Sequence, residues 1–96
     1  MLNNMFKYTR HSLKKVETLF EELEYEIRYE KGSFNAGYCI LETKKVVVIN
    51  RFYDTEGRIN CLIDILSDID TTNISLSDKS AKLYKLLKGM KAEEEE

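Results

Sequence analysis

Asp64 and Asp68 stand four residues apart in a stretch of helical apolar spacing, so their carboxylates share one helix face. Such a pair could hold a hard cation or meet a basic partner. Ser67 lies on the same side of that helix, off its apolar stripe. Tyr38 and Cys39 open a short strand, and a cleft between the sheet and this helix would bring them toward Asp64. Tyr38, Cys39, Asp64, Ser67 and Asp68 are therefore the contact candidates. The plainer expectation is a solvated acidic face, because Asp64 and Asp68 lie opposite the stripe. Asp68 and Asp70 also sit at the negative end of the helix dipole, a local cost with no evident structural return.

Other chemistry finds less support. Nucleophilic catalysis needs Cys39 or Cys61 beside a base, and no spacing brings His11, the single histidine, to either sulfur. A structural zinc site wants four Cys or His ligands, and the chain has three such residues. There is no Ser-His-Asp set, phosphate loop or dinucleotide fingerprint. No catalytic residue, cofactor or metal is assigned.

The elements that must position these residues are legible. Thr9 or Ser12 caps a first helix running to about Glu24, with Leu13, Val16, Leu19, Phe20 and Leu23 as its apolar stripe. His11 reads as a surface residue before a helix, and Lys14, Lys15, Glu17, Glu21 and Glu22 fall mostly on the wet face. Tyr25, Ile27 and Tyr29 alternate with charged residues as a strand. Gly32 to Gly37 is a turn, 38–42 a second strand, and 46–52 a third. Short connections favour antiparallel neighbours, giving a three-stranded meander. Four consecutive apolar residues, Val46 to Ile49, call for a central or doubly covered third strand. Tyr25, Tyr29 and Tyr38 share a sheet face, as core or as an exposed binding surface.

Asp54 or Thr55 caps a second helix to Asp70, with Ile59, Leu62, Ile63, Leu66 and Ile69 as its stripe and Cys61 off it. Ser75 or Ser77 opens a third helix whose apolar side is Leu83, Tyr84, Leu86, Leu87 and Met90. Gly89 marks where it begins to unwind. Lys82, Lys85, Lys88 and Lys91 make it basic and amphipathic, suited to an anionic surface if they form one exposed patch with other cations. Packing on the sheet is the simpler use of its apolar side.

Ninety-six residues make one domain, and 43% hydrophobic with 33% charged content is ordinary globular composition. Residues 1–91 form that domain and 92–96 an acidic, disordered tail. Glu93 to Glu96 carry four of the negative charges, so the rest of the chain stands at +2 against −2 overall. A nearly neutral body argues against generic nucleic-acid binding. There is no membrane-length apolar run and no secretory pattern, which points to the cytosol, where both cysteines are expected to stay reduced.

The run Glu30-Lys31-Gly32-Ser33-Phe34-Asn35-Ala36-Gly37-Tyr38-Cys39, with Val46 to Asn50, resembles a group of small uncharacterised bacterial proteins. The order helix, three strands, helix, helix also resembles the minimal zincin core of ImmA/IrrE-like metallopeptidases. That resemblance puts the HExxH positions at Ile63, Asp64 and Ser67, so both histidine ligands are missing and it implies an inactive relative whose cleft serves binding. The fold expected is α+β, ordered α-β-β-β-α-α, with helices mainly on one face of an antiparallel sheet. The leading function is a non-enzymatic protein-interaction module or small regulator with a protein partner, open to homodimerisation. A minor enzyme or ligand binder using Asp64, Tyr38 or Cys39, and an anionic-surface or nucleic-acid binder using the third helix, are the alternatives.

Overall fold

Thr9 starts the first helix, α1 (Arg10–Glu22), its hydroxyl accepting from Ser12 N at 3.1 Å and satisfying one free donor of the first turn. The expected stripe, Leu13, Val16, Leu19, Phe20 and Leu23, is buried. α1 closes without glycine. Glu24 takes φ 70°, and Glu24 N and Tyr25 N donate to Glu21 O and Phe20 O, both at 2.9 Å. That bond pair ends a helix through one left-handed residue. A non-glycine there costs about 1–2 kcal/mol, offset because the reversal sends Tyr25 into the core at 5% exposure.

The structure, a computed structural model, describes residues 6–31 and 38–94, without the side chains of Cys39, Glu42 and Glu94. The expected glycine turn at 32–37 lies outside the described residues.

Three strands follow α1: β1 (Glu26–Glu30), β2 (Tyr38–Leu41) and β3 (Val46–Asn50). Their order is β1-β3-β2, with β3 antiparallel to β2 but parallel to β1. The sheet is mixed, which corrects the expected antiparallel meander. A 3-10 turn, Glu42–Lys44, and Lys45 at φ 53° keep β2 and β3 adjacent, as the short connection requires. The segment 31–45 between β1 and β3 exceeds the ~12 residues a parallel link needs, because β2 itself supplies the reversal. The apolar run of β3 takes the centre, where neighbours flank it on both sides. Ile27, Val47 and Ile40 align across the sheet, as do Tyr29, Ile49 and Tyr38. These two rows face the helices, and Val47 and Ile49 join the main core while Val46 and Val48 lie on the opposite face. The tyrosines thus belong to the core side, Tyr29 and Tyr38 partly buried.

Asp54 caps α2 (Thr55–Leu66) by accepting from Gly57 N at 2.8 Å. All of its expected stripe is buried, and so is Cys61, which was expected off it. α2 stops at Leu66 rather than Asp70. Its last turn tightens as Ser67 N and Asp68 N reach back three residues to Asp64 O and Ile65 O. Asp70 then accepts from Thr72 N (3.0 Å) and Thr72 Oγ1 (2.6 Å), a turn held by its carboxylate. Asp70 therefore has a structural role, and these donors hold its carboxyl below the usual range.

α3 (Asp78–Glu94) passes through Gly89 without unwinding, and Ala92–Glu94 continue it. The boundary expected at residue 92 is thus no helix end, and residues 95–96 lie outside the described ones. Leu87 and Met90 are buried against α1 and α2, closing the core of an α+β fold. Among the described residues no helix is long and apolar enough to cross a membrane.

Candidate functional site

His11, Lys14, Lys15 and Thr18 recur at i, i+3, i+4 and i+7, so they share one face of α1. Lys79, Lys82, Leu83 and Leu86 repeat that spacing on α3. The core draws both helices together, and the two faces line a groove of about 790 Å³. Leu83 and Leu86 are half-buried and supply its apolar part, with the ammonium groups on either side.

Glu22 is the sole carboxylate of the lining, and it is committed elsewhere. It accepts from Ser77 N at 2.9 Å, Ser77 Oγ at 3.0 Å and Ser80 Oγ at 2.9 Å. The Ser77 backbone donor, then the Ser80 hydroxyl, hold its carboxyl below the usual range. Ser77 Oγ in turn accepts from Ser80 N at 3.3 Å, and Ser77 O from Ala81 N at 2.8 Å, which makes Ser77 the cap of α3. Among the described residues the ion pairs are Arg28–Glu26, Lys45–Glu24 and Lys91–Asp64. Lys14, Lys15, Lys79 and Lys82 are thus left as four unpaired cations around aliphatic carbon.

A second concavity, of about 550 Å³, lies between α1 and β1 and is lined by Glu17, Glu21, Glu24, Glu26, Tyr25, Ile27 and Tyr29. The Tyr29 hydroxyl donates to Glu17, and the Arg58 guanidinium lies 4.3 Å from the Tyr29 ring centre. Burial, then the bond to Glu17, push the Tyr29 phenol well above its usual range. Glu24 meets Lys45 at 3.9 Å, and Glu26 meets Arg28 at 2.9 Å.

Of the residues singled out in the sequence, Tyr38 feels the charges of Asp68 and Asp64. Burial first, then these two charges, raise its phenol. Asp64 is held at 2.7 Å by Lys91 of α3. The thiol in this neighbourhood is Cys61, buried and pushed up by desolvation and by Asp64, which makes it a poor nucleophile. The Cys39 side chain lies outside the described residues. Ser67 is the exposed C-cap of α2, and Ile63 is a core residue. Among the described residues no three His, Cys, Asp or Glu side chains are grouped to hold a metal ion.

By sequence His11, Lys14, Lys15 and Glu22 are ordinary wet-face residues, and no motif marks Lys79. Their signal is the matching i, i+3, i+4, i+7 spacing on two helices. The missing fact was that α1 and α3 are neighbours. No protein-family model matches the chain, and no curated protein or solved structure matches it. Function must therefore be argued from this geometry.

Proposed function

We propose that this protein is a non-enzymatic interaction module that holds an anionic partner in the groove between α1 and α3. One observation carries the proposal: Lys14, Lys15, Lys79 and Lys82 line a concave, partly apolar surface and have no carboxylate partner among the described residues, while Glu22 is taken up by serine donors. Like charges clustered around a concavity raise the local potential, and an anionic ligand relieves their repulsion. Binding is favoured over bond-making because no lining residue pairs a nucleophile with a free base. Ser77 and Ser80 donate to Glu22 at a helix start, which is a capping arrangement. The basic-helix alternative meets this proposal at Lys82, to which the groove adds Lys79. It does not extend along all of α3, since Lys88 lies 5.7 Å from the Tyr84 ring centre and Lys91 is bound to Asp64. A ligand cleft at Tyr38 and Asp64 draws less support, because Lys91 already answers the Asp64 charge.

Amide chemical shifts of the full chain, followed during titration with polyglutamate and with a short single-stranded oligonucleotide, test the proposal. At roughly 50 mM salt, where screening is weak, shifts should concentrate in 11–18 and 79–86 and fade as salt rises. Silence in both segments with both probes, or shifts centred on Tyr38 and Asp64 instead, would show the proposal to be wrong.

A further inference from the structure

We infer that the segment seated in this groove is an acidic amphipathic α-helix of a protein partner. The inference rests on the groove being the binding surface and concerns what kind of anion fits it. Each wall is a helix face whose lining residues span i to i+7, a length of about 10 Å or two helical turns. Two such faces side by side leave a furrow of helical period, and the element that interdigitates with them is a third helix. Its own stripe at i, i+3, i+4 and i+7 would rest on Leu83 and Leu86. Asp or Glu beside that stripe would reach Lys14 and Lys15 on one side, Lys79 and Lys82 on the other.

Nucleic acid fits the same furrow less well. None of the lining residues is Phe, Tyr or Trp, so a run of bases would find only the small ring of His11 to stack on. None is arginine, so the planar fork that grips phosphate or guanine in two bonds is lacking. Half-buried leucines between the lysines offer nothing to a phosphodiester backbone but match an apolar side chain. The other flank of α1 carries Glu17 and Glu21, with Glu24 just past its end, and these would repel a polyanion longer than the groove. A short helix can place acidic residues over the lysines and none beyond them.

The test compares three labelled probes on the full chain by fluorescence anisotropy. One is a synthetic peptide of about four turns with leucine at i, i+3, i+4 and i+7 of its middle two turns, glutamate only beside that stripe, and alanine or glutamine elsewhere. The second has the same composition in scrambled order, and the third is a single-stranded oligonucleotide of equal charge. The ordered peptide should bind at least about tenfold tighter than either, a gap of ~1.4 kcal/mol, and should gain helical circular dichroism on binding. Lys15→Glu with Lys82→Glu, both at exposed positions, should weaken it by a similar factor, with the unliganded dichroism unchanged. Leu86→Ala should weaken the ordered peptide and spare the oligonucleotide. If the scrambled peptide or the oligonucleotide binds as well as the ordered one, and the double variant weakens both, the groove takes anions without selecting a helix and the inference is wrong. If no probe binds, or the double variant binds all three unchanged, the groove itself is not the binding surface and both proposals fall.

Discussion

The two flanks of α1 differ in charge, and they differ more in how that charge is bonded. Toward β1, Glu17 accepts from Tyr29, Glu24 meets Lys45 and Glu26 meets Arg28. Toward α3, four lysines meet no carboxylate among the described residues, and Glu22 is held by serines. The Glu17–Tyr29 bond fastens α1 to β1, and the Glu24–Lys45 pair ties the end of α1 to the start of β3, while Glu26–Arg28 lies within β1 itself. The clustered lysines do nothing for the fold, since like charges crowded together destabilise it slightly. The acidic concavity is thus a seam, and the basic one a surface kept available. If that contrast is right, substitutions on the two flanks must have unequal effects on stability.

Glu17→Ala should have the largest effect. It leaves the half-buried Tyr29 hydroxyl without its acceptor, at a cost of about 1–3 kcal/mol, visible as a lower midpoint in denaturant. Tyr29 also gives the seam a pH signature. Its folded-state value lies above that of the unfolded chain, so its contribution is complete below about pH 10 and is lost as the pH rises further. Tyr29→Phe should therefore flatten part of the alkaline limb of a melting curve recorded against pH. A melting temperature unmoved by Glu17→Ala would mean that the seam is no more structural than the groove.

Ser77→Ala comes next. It removes the cap of α3 and the Ser77 hydroxyl that donates to Glu22, while the backbone N–H donor remains, and should cost about 1 kcal/mol. Glu22 has a lowered folded-state value, so its stabilisation is present above the ordinary carboxylate range and disappears as the pH falls through it. Glu22→Gln should lose that acid dependence. It should also leave the four lysines without the nearest negative charge, so anionic probes should bind more tightly while the fold becomes less stable. Opposite signs in the two measurements are what the contrast demands.

What the sequence made legible follows one rule: period was readable and proximity was not. The stripe of α1, the stripe of α2 and the central place of Val46 to Ile49 each follow from spacing alone, and all are buried. The parallel pairing of β1 with β3 depends on which strand the chain skips, and β1 carries no local mark of that choice. α2 ends at Leu66 through backbone turns closed by Asp64, Ile65 and Asp70, with no glycine or proline to announce it. Gly89 misled in the other direction, because an exposed interior glycine costs only about 1 kcal/mol and helix-forming neighbours continue α3 past it. Asp64 pairs with Lys91, a partner 27 residues away that no spacing in the sequence announces. The groove went unseen because Lys14 and Lys15 are indistinguishable, by type and spacing, from any solvated helix face.

Glu24→Gly should act on the seam in a smaller and opposite sense. Glycine relieves the left-handed strain at φ 70°, while the exposed contact with Lys45 at 3.9 Å is lost. Strain of about 1–2 kcal/mol outweighs a screened surface pair of about 0–1 kcal/mol. The melting temperature should rise modestly. A fall would mean that Glu24 holds β1 to α1 more firmly than its geometry implies.

The smallest effects should come from the groove. Lys15→Ala and Lys82→Ala remove cations that contact no carboxylate among the described residues, so each should shift stability by less than about 0.5 kcal/mol. The sign is the informative part. If the lysines only repel one another, the substitutions should raise the melting temperature slightly at low salt, and the gain should vanish as salt screens the cluster. A salt-independent loss would mean that the lysine stems pack on Leu83 and Leu86 as part of the fold. The groove would then be a second seam, and the asymmetry between the flanks of α1 would disappear.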